Sequence, residues 1–312
     1  MATENLQTLE VLSVENKTFY DRVLLKRLLP NLVWAKFAQK KPLPRREGDT
    51  INFRRFNSLA PATTPLQEGI TPVGNTLSIS TVEATVKQYG DYITYSDKLD
   101  LIGIDPVITE TAELLGEQAG LTIDTIVRDI VVNGTSVQYA GDKANADEIT
   151  AEDKLTGAEV KKAVRELRKR NVKPFENGYY ILILDPDGAD DLMNDEDWKD
   201  VSKYNGGEKI MAGEVGKIWG AKVITTTQVK TYTNANEVTI HCGMLLGRDA
   251  YGVVDIDGSG RKPGLIVKPL GSAGTADPLN QRGSIGWKAL FTAVRLNELA
   301  MTRIEYAATG TN

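Results

Sequence analysis

A long connection rich in proline and glycine separates two strand-forming runs in the first third of the chain. The runs span residues 49–57 and 76–96, and both are rich in the β-branched and aromatic residues that favour strands. A connection of this length without structure of its own is uncommon inside a compact domain. The pattern predicts a long two-stranded hairpin that projects outward. The breaking residues of the connection are Pro61, Pro65, Gly69, Pro72 and Gly74.

A projecting hairpin is incomplete by itself. An isolated two-stranded hairpin is barely stable in water, so this one needs a further surface, and an identical neighbouring molecule is the candidate. Arg54 and Arg55 lie on its first strand, where alternation directs them to opposite faces. If the hairpin lies on a neighbour, at least one of these arginines should meet a carboxylate. If the hairpin is exposed, both are solubility charges.

The composition is that of a folded globular protein. The 312 residues are 41% hydrophobic and 25% charged, which is enough for a large core. No apolar run approaches the roughly 20 residues needed to span a bilayer, and the first residues lack the pattern of a secretory signal. We therefore expect synthesis in the cytoplasm and no membrane association. The net charge of −5 gives no indication of a basic surface for nucleic acid.

The scarcity of cysteine and histidine restricts the possible chemistry. Cys242 is the single cysteine and His241 the single histidine, so an internal disulfide is impossible and a Cys/His zinc site lacks ligands. Because the two residues are adjacent on a predicted strand, their side chains should point to opposite faces. A catalytic dyad between them is therefore not expected.

Four other segments offer weak signals for ligands. The acidic runs Asp185–Asp191 and Asp255–Gly260 could supply oxygen ligands, but a helix cap and a plain turn explain them better, and the second lacks the closing Glu of a calcium loop. The glycine-containing segments Gly213–Gly220 and Gly271–Ala276 have neither Walker nor dinucleotide spacing. The sequence therefore predicts no catalytic residue, no metal and no cofactor.

Helical periodicity indicates one unusually long helix. Asp105 is a suitable N-cap, Pro106 suits the first helical position, and Asn133-Gly134 is a stop signal. We expect a helix over about 105–133, roughly 40 Å long at 1.5 Å per residue. Its apolar positions recur at steps of three and four residues: Ile108, Ala112, Leu115, Ala119, Ile123, Ile126 and Ile130.

The remaining chain divides into an arm and an alternating region. The arm carries leucines in helical pieces interrupted by Pro30, including Leu6, Leu9, Leu12, Leu24 and Leu28. From Thr156 onward, helix and strand alternate. We expect helices at 157–170 and 187–204, and strands at 179–184, 221–227 and 237–242, with the segment from Trp287 to Ile304 undecided. The basic residues of the first of these helices are more typical of a solvated face than of a nucleic-acid site, because acidic residues alternate with them.

The order of elements, and three segments in particular, resemble the podovirus-type major capsid proteins of tailed double-stranded-DNA bacteriophages. Glu214–Ile224 resembles a segment of the axial lobe of that family, and Gly271–Leu290, running on to Asn297, resembles its C-terminal signature. Tyr179–Leu192 resembles its apolar strand and Pro-Asp turn, although the residue before that proline, often His in the family, is Asp185 here. The resemblance covers about residues 20–306.

This resemblance implies an α+β fold of the Hong-Kong-97 capsid type. Its expected parts are an N-terminal arm (1–47), an extended β-hairpin loop (48–96), a peripheral domain with a long spine helix (97–155), an axial α/β domain (156–262) and a return to the peripheral domain (263–312). Candidate contacts between copies lie in the extended loop. They are Arg54, Arg55, Phe56, Leu66, Glu68, Ile70, Tyr89 and Tyr92.

The resemblance also implies partners. Copies would form pentamers and hexamers of an icosahedral shell in the virion, with a portal and a separate scaffolding protein as further partners. Whether a decoration protein also binds stays open from sequence. The shell would enclose double-stranded DNA without binding it specifically. Two alternatives stay open from sequence: an encapsulin-like compartment shell, and a cytosolic α/β enzyme built on residues 156–260.

Overall fold

The structure is a computed structural model, and it describes residues 33–43, 48–66, 68–71, 73–102, 107–195, 198, 214–256, 264–274 and 277–310. Several predicted features lie outside these ranges: the arm before Val33, the helix start at Asp105-Pro106, nearly all of 196–213 and the turn at 257–260.

Strands dominate the described part of the chain. They are β1 (Gln39–Leu43), β2 (Thr50–Phe56), β3 (Ile79–Thr85), β4 (Lys87–Ser96), β5 (Val137–Tyr139), β6 (Tyr180–Leu184), β7 (Glu214–Ile218), β8 (Ala221–Thr225), β9 (Thr231–Thr233), β10 (Thr239–Leu246), β11 (Tyr251–Ile256), β12 (Gly264–Lys268), β13 (Arg282–Arg295) and β14 (Met301–Ala307).

The described strands form three sheets. The larger sheet has the order β5-β14-β10-β6-β8-β7, with β9 also paired to β10. The smaller sheet has the order β1-β11-β13-β12, with β4 also paired to β13. Strands β2 and β3 pair antiparallel, from Thr50 opposite Thr85 to Phe56 opposite Ile79, and form the predicted hairpin.

The helices are α1 (Asp97–Ile102), α2 (Val107–Val132), α3 (Gly157–Lys169) and α4 (Pro186–Asn194), with short 3₁₀ turns that include Trp34–Phe37. Thr156 caps α3 by accepting a hydrogen bond from the Glu159 amide at 3.4 Å. Helix α4 is shorter than the helix predicted over 187–204, since the chain is extended at Asp195.

The long predicted helix is confirmed as α2, and it packs against both the larger and the smaller sheet. Its amino-terminal half packs Ala112, Leu115 and Ala119 against the smaller sheet. Its carboxyl-terminal half joins an apolar cluster with strands of both sheets. In that half Val127 and Val131 are buried, whereas the predicted Ile126 and Ile130 are only half-buried. The buried face of the helix therefore shifts by one residue along its length. A helix has 3.6 residues per turn, so positions that follow a strict seven-residue repeat gradually rotate away from the contact.

The larger sheet is the centre of the predicted α/β region. The predicted apolar strand is β6, all of whose residues are buried, and it lies between β10 and β8. Helices α3 and α4 cover one face through Val160, Val164, Leu167 and Leu192. This matches the expectation that a strand covered on both faces is continuously apolar.

Three segments differ from the expected boundaries because strand pairing crosses them. The run 76–96 divides between two sheets: β3 pairs with β2, whereas β4 pairs along ten positions with β13. Strand β11 joins the smaller sheet although it falls within 156–262. The undecided final segment forms two strands, and the second, β14, lies in the larger sheet beside β10 instead of returning to the smaller one.

Candidate inter-subunit interface

The base of the hairpin is anchored within its own subunit. Ile51 and Phe53 of β2 and Ala84 of β3 are buried in an apolar cluster with Leu43 and Val254, which belong to paired strands of the smaller sheet. The expectation that the hairpin cannot bury its apolar residues within its own subunit is therefore wrong for the base of the hairpin. The anchored base gives the projecting part a fixed direction.

The distal part of the hairpin leaves its apolar side chains in solvent. Phe56 at its start is 64% exposed, Leu66 is 78% exposed and Val73 is 98% exposed. Exposed apolar residues scattered singly are ordinary, but here seven large apolar side chains are exposed within residues 56–79, which favours an interaction surface. We call this group the hairpin tip, and its members are Phe56, Leu59, Leu66, Ile70, Val73, Leu77 and Ile79.

The predicted contact residues fall into two groups. Six of them lie on the hairpin and are exposed, and both Arg54 and Arg55 of β2 are among these six. The two tyrosines lie on β4 in the smaller sheet and not on the hairpin. Tyr89 is half-buried and packs against the core beside α2, whereas Tyr92 is 68% exposed on the opposite face. The exposed six are Arg54, Arg55, Phe56, Leu66, Glu68 and Ile70.

The outer face of the smaller sheet forms a shallow groove around Tyr92. The face towards α2 carries Ile285 and Trp287, so the intervening residues of β13 point outward. Gly286 lies opposite Tyr92, and a Cβ at this glycine would be 2.7 Å from the tyrosine Cβ. Sequence reasoning missed this groove because β4 is distant in the chain from β12 and β13, with which it forms the groove. It is lined by Gln88, Tyr92, Ile266, Lys268, Gly286 and Lys288.

A buried polar cluster connects three elements of the larger sheet. Asp185, the N-cap of α4, has its Oδ2 atom 2.9 Å from His241 Nδ1 and 3.3 Å from the Gly188 amide. The Tyr306 hydroxyl donates to Asp185 Oδ1, and the His241 and Tyr306 rings stack with centroids 5.8 Å apart. Burial raises the pKa of Asp185, but hydrogen bonds from His241 and Tyr306 outweigh it, so the pKa is lowered overall.

Cys242 lies on the other face of β10 from His241, as the sequence predicts. It is directly opposite Glu305 of β14, whereas His241 is opposite Tyr306. Burial, followed by the Glu305 charge, raises the pKa of Cys242 to about 12. The thiol is therefore protonated at neutral pH, and since the thiolate is the nucleophilic form, it is unreactive. The cluster and the thiol both have structural roles that fit their burial.

The remaining ligand signals yield no site in the described residues. Asp185 serves as a helix cap and as the partner of His241 and Tyr306. No group of three or more Cys, His, Asp or Glu side chains within the described ranges is placed to hold a metal. The basic face of α3 is engaged in local pairs, including Lys162 with Asp142 and Lys169 with Glu166. Within the same ranges, no helix is long and apolar enough to cross a membrane.

Comparison with known proteins agrees with this arrangement. Residues 79–304 match the family described as phage capsid protein. The capsid protein of Ralstonia phage GP4 superimposes with a TM-score of 0.73 at 12% identity, covering 90% of this chain and 89% of that one. That of cyanophage P-SCSP1u gives 0.67 at 13%, covering 89% of each chain. That of cyanophage Pam1 gives 0.66 at 16%, covering 85% and 87%. No curated protein matches significantly.

A long helix that connects two sheets and an anchored hairpin with an exposed apolar tip form a fold of the Hong-Kong-97 capsid type. The relatives are capsid proteins and not enzymes. Since the matching region covers well over half of its length, the chain belongs to the phage capsid protein family.

Proposed function

We propose that this chain is the major capsid protein whose copies complete one another in an icosahedral bacteriophage shell. The single observation that carries this proposal is the hairpin, whose base is buried in its own subunit and whose apolar tip is exposed. Burying apolar surface contributes about 25 cal/mol per Å², so an anchored, solvent-exposed apolar tip favours contact with another molecule. The compartment-shell and enzyme alternatives are not favoured, since the family is one of phage capsids.

The outer groove of the smaller sheet is the surface that best fits the tip of a neighbouring copy. Tyr92 and Ile266 offer exposed apolar area on the two strands that flank Gly286. Lys268 and Lys288 border the groove, and Glu68 lies on the tip beside Leu66. Apolar contacts bordered by opposite charges are typical of specific interfaces. The tip of one subunit therefore lies across the smaller sheet of the next.

The larger and smaller sheets take the two domain roles expected for the family. The larger sheet with α3 and α4 is the axial domain, which brings copies together in pentamers and hexamers. The smaller sheet with α2 is the peripheral domain. Strand β14 and strand β11 belong to the sheets in which they pair, so both domains are built from discontinuous segments.

Further partners follow from the shell itself. A scaffolding protein and a portal complete the particle, which is made in the cytoplasm of the host bacterium. The shell encloses double-stranded DNA without specific contacts, because the net charge of −5 does not favour retention of phosphates on a wall. The chain has no catalytic role.

Deletion of the hairpin tip tests the proposal directly. Removing residues 59–73 leaves the anchoring positions Ile51, Phe53 and Ala84 in place, so we expect a folded subunit that fails to form closed particles by electron microscopy. Circular dichroism and the unfolding midpoint of the dilute subunit are the folding controls.

A matched point variant separates the loss of apolar contact from the loss of chain length. Leu66→Ser with Ile70→Ser should also reduce particle yield, whereas Leu299→Ser, at another exposed leucine away from the hairpin, should assemble normally. Normal closed shells from the deletion variant would show that the tip is not an inter-subunit contact.

A further inference from the structure

A tryptophan occupies a strained turn at one edge of the larger sheet. Trp219 and Gly220 connect β7 to β8, and both have positive φ, 50° and 90°. Two-residue turns of this kind normally take Asn, Asp or Gly, and a bulky residue at positive φ is uncommon. Trp219 is nevertheless 37% exposed, so its own subunit buries the ring only in part. Backbone strain of this kind is concentrated at functional positions.

Two lysines lie over aromatic rings at this turn. Lys161 Nζ is 4.2 Å from the centroid of the Trp219 ring, and Lys217 Nζ is 4.8 Å from that of Tyr179. A cation over an aromatic face is attracted by the ring, so each pair holds a positive charge beside an apolar surface. Tryptophan, tyrosine and arginine are the residues most enriched at the energetic centres of protein interfaces.

Helix α3 adds two arginines to the same surface. Lys161, Arg165 and Arg168 are exposed and follow one another at steps of four and three residues, so they share one face of the helix. Arg168 reaches the turn, since a Cβ at Gly220 would be 2.7 Å from one of its nitrogens. Glu166, 3.7 Å from Arg165, offsets only part of this charge. We call this surface the basic end, and its members are Lys161, Arg165, Arg168, Tyr179, Lys217 and Trp219.

The opposite end of the same sheet is acidic. Helix α4 begins directly after β6, with Asp185 as its N-cap, and Asp187 and Asp190 are exposed in its first turns. We call these two exposed carboxylates the acidic end. The basic end lies at the start of β6, because the Tyr180 amide donates to the Gly220 carbonyl at 2.9 Å. The five residues of β6 separate the two ends by about 17 Å.

Helix dipoles explain only part of this arrangement. They favour acidic residues at the start of α4 and basic ones at the end of α3, but they give no reason for an exposed tryptophan in a strained turn. Two surfaces of opposite charge at opposite ends of one domain are complementary to each other. They cannot meet within one subunit, because β6 lies between them.

Rings of identical subunits require two such surfaces on every copy. A contact that uses the same surface on both copies stops at a dimer, whereas a head-to-tail contact between two different surfaces can close into a ring. On the basis of the shell function proposed above, we propose that the basic end of one copy binds the acidic end of the next within each pentamer and hexamer. Trp219 lies at the centre of this contact, and the surrounding cations pair with Asp187 and Asp190 of the neighbouring copy.

The substitution Trp219→Asn separates a contact residue from a structural one. Asparagine tolerates positive φ, so the dilute subunit should keep or raise its unfolding midpoint. The protein concentration at which closed particles form should rise at least about tenfold, since an aromatic anchor contributes a large share of binding. A lower midpoint with an unchanged assembly threshold would overturn the proposal. Leu99→Asn, at an exposed apolar position of α1, is the matched control and should leave the threshold unchanged.

Two charge variants test the head-to-tail arrangement. Arg165→Glu with Lys217→Glu makes both ends acidic, and Asp187→Lys with Asp190→Lys makes both ends basic. Neither variant should form rings alone at concentrations where the wild type assembles. Mixed in equal amounts, the two should alternate, because each acidic end then meets a basic one. Alternation closes rings of six but not rings of five, so native mass spectrometry should show mixed hexamers and no mixed pentamers.

The controls make the same charge changes away from the larger sheet. Lys98→Glu and Asp100→Lys, at exposed positions of α1, should assemble as the wild type does. Unfolding midpoints of the dilute subunits report folding of each variant. If the two folded charge variants assemble normally alone, or fail to assemble when mixed, the proposal is wrong.

Two further outcomes separate this proposal from others. If the wild-type subunit binds a short DNA duplex, and Arg165→Glu with Lys217→Glu abolishes that binding but leaves assembly unchanged, the basic end binds phosphates instead of a neighbouring copy. If these variants assemble normally while deletion of the hairpin tip prevents assembly, the shell function stands and only the head-to-tail contact is wrong. A wild-type chain that forms no particles would contradict both.

Discussion

At the scale of residues, the contacts of Asp185, His241 and Tyr306 in the larger sheet depend on strand pairing more than on their spacing in the sequence. The sequence predicts that His241 and Cys242 point to opposite faces, and it identifies Asp185 as a helix cap. It gives no signal that Asp185 and His241 meet, or that Tyr306 completes the cluster, because these residues are brought together only by the pairing of β14 with β10 and of β10 with β6. Local patterns predict orientation, whereas tertiary pairing determines the partner.

Removing the Tyr306 hydroxyl should destabilise the subunit. Tyr306→Phe leaves Asp185 Oδ1 without its donor, and an unsatisfied buried group costs about 1–3 kcal/mol. Urea unfolding of the dilute subunit measures this loss. Tyr92→Phe, at an exposed tyrosine, is the control and should change the unfolding free energy by less than about 0.5 kcal/mol. Equal stability of the two variants would contradict a structural role for the cluster.

Asp124 should make the subunit less stable as the pH rises. Burial raises its pKa to about 6, although the Trp34 and Val33 amides and Arg128 oppose this change. In the unfolded chain an aspartate has a pKa near 3.9. Between these values the folded state retains a proton that the unfolded state has lost, so this residue's contribution decreases from pH 4 to pH 7.

The substitution Asp124→Asn isolates this effect, since asparagine is neutral at every pH and can still accept from the Trp34 amide. Relative to the wild type, the variant should gain on the order of 2–3 kcal/mol in unfolding free energy between pH 4 and pH 7. Chemical denaturation at several pH values gives the difference. A difference that stays constant with pH would show that Asp124 titrates normally.

At the scale of elements, periodicity predicts type and approximate position, but it does not predict partners. The long helix, the apolar strand at 180–184 and the hairpin are confirmed because each has a strong local pattern. The run 76–96 reads as one strand in the sequence because its alternation continues across Val86. In the structure it is divided, since β4 forms its hydrogen bonds with β13. The segment from Trp287 to Ile304 is undecided from sequence because its apolar residues recur at mixed spacings of two, three and four residues. The structure divides it between β13 and β14.

At the scale of the whole molecule, two surfaces of one chain are proposed to meet only between copies. The apolar tip projects from an anchored base, and the groove around Tyr92 lies on the outer face of a different sheet. The tip is a local feature, and the sequence predicts its exposed residues as candidate contacts. The groove depends on the pairing of three strands, so the sequence does not predict it. Many weak contacts of this kind act together in a closed shell.

Charge reversal tests whether these surfaces meet in the assembled shell. Glu68→Lys on the tip would place like charges beside Lys268 and Lys288 of the neighbouring copy, and it should raise the protein concentration at which particles form. A single exposed ion pair contributes about 0.2–1 kcal/mol. The same pair is repeated at every subunit contact, so its effect on assembly of the whole shell is larger than its effect on one contact. Adding Lys268→Glu with Lys288→Glu should restore assembly, because it reinstates opposite charges.

Light scattering against concentration reports the threshold for assembly, and the unfolding midpoint of the dilute subunit reports folding. The matched control is Glu152→Lys, which makes the same charge change at an exposed position and should leave the threshold unchanged. Rescue by Lys268→Glu with Lys288→Glu requires that the tip of one copy faces the groove of the next, since the charge changes do not compensate for each other within one subunit. If the combined variant assembles no better than Glu68→Lys alone, the tip binds elsewhere on the neighbour.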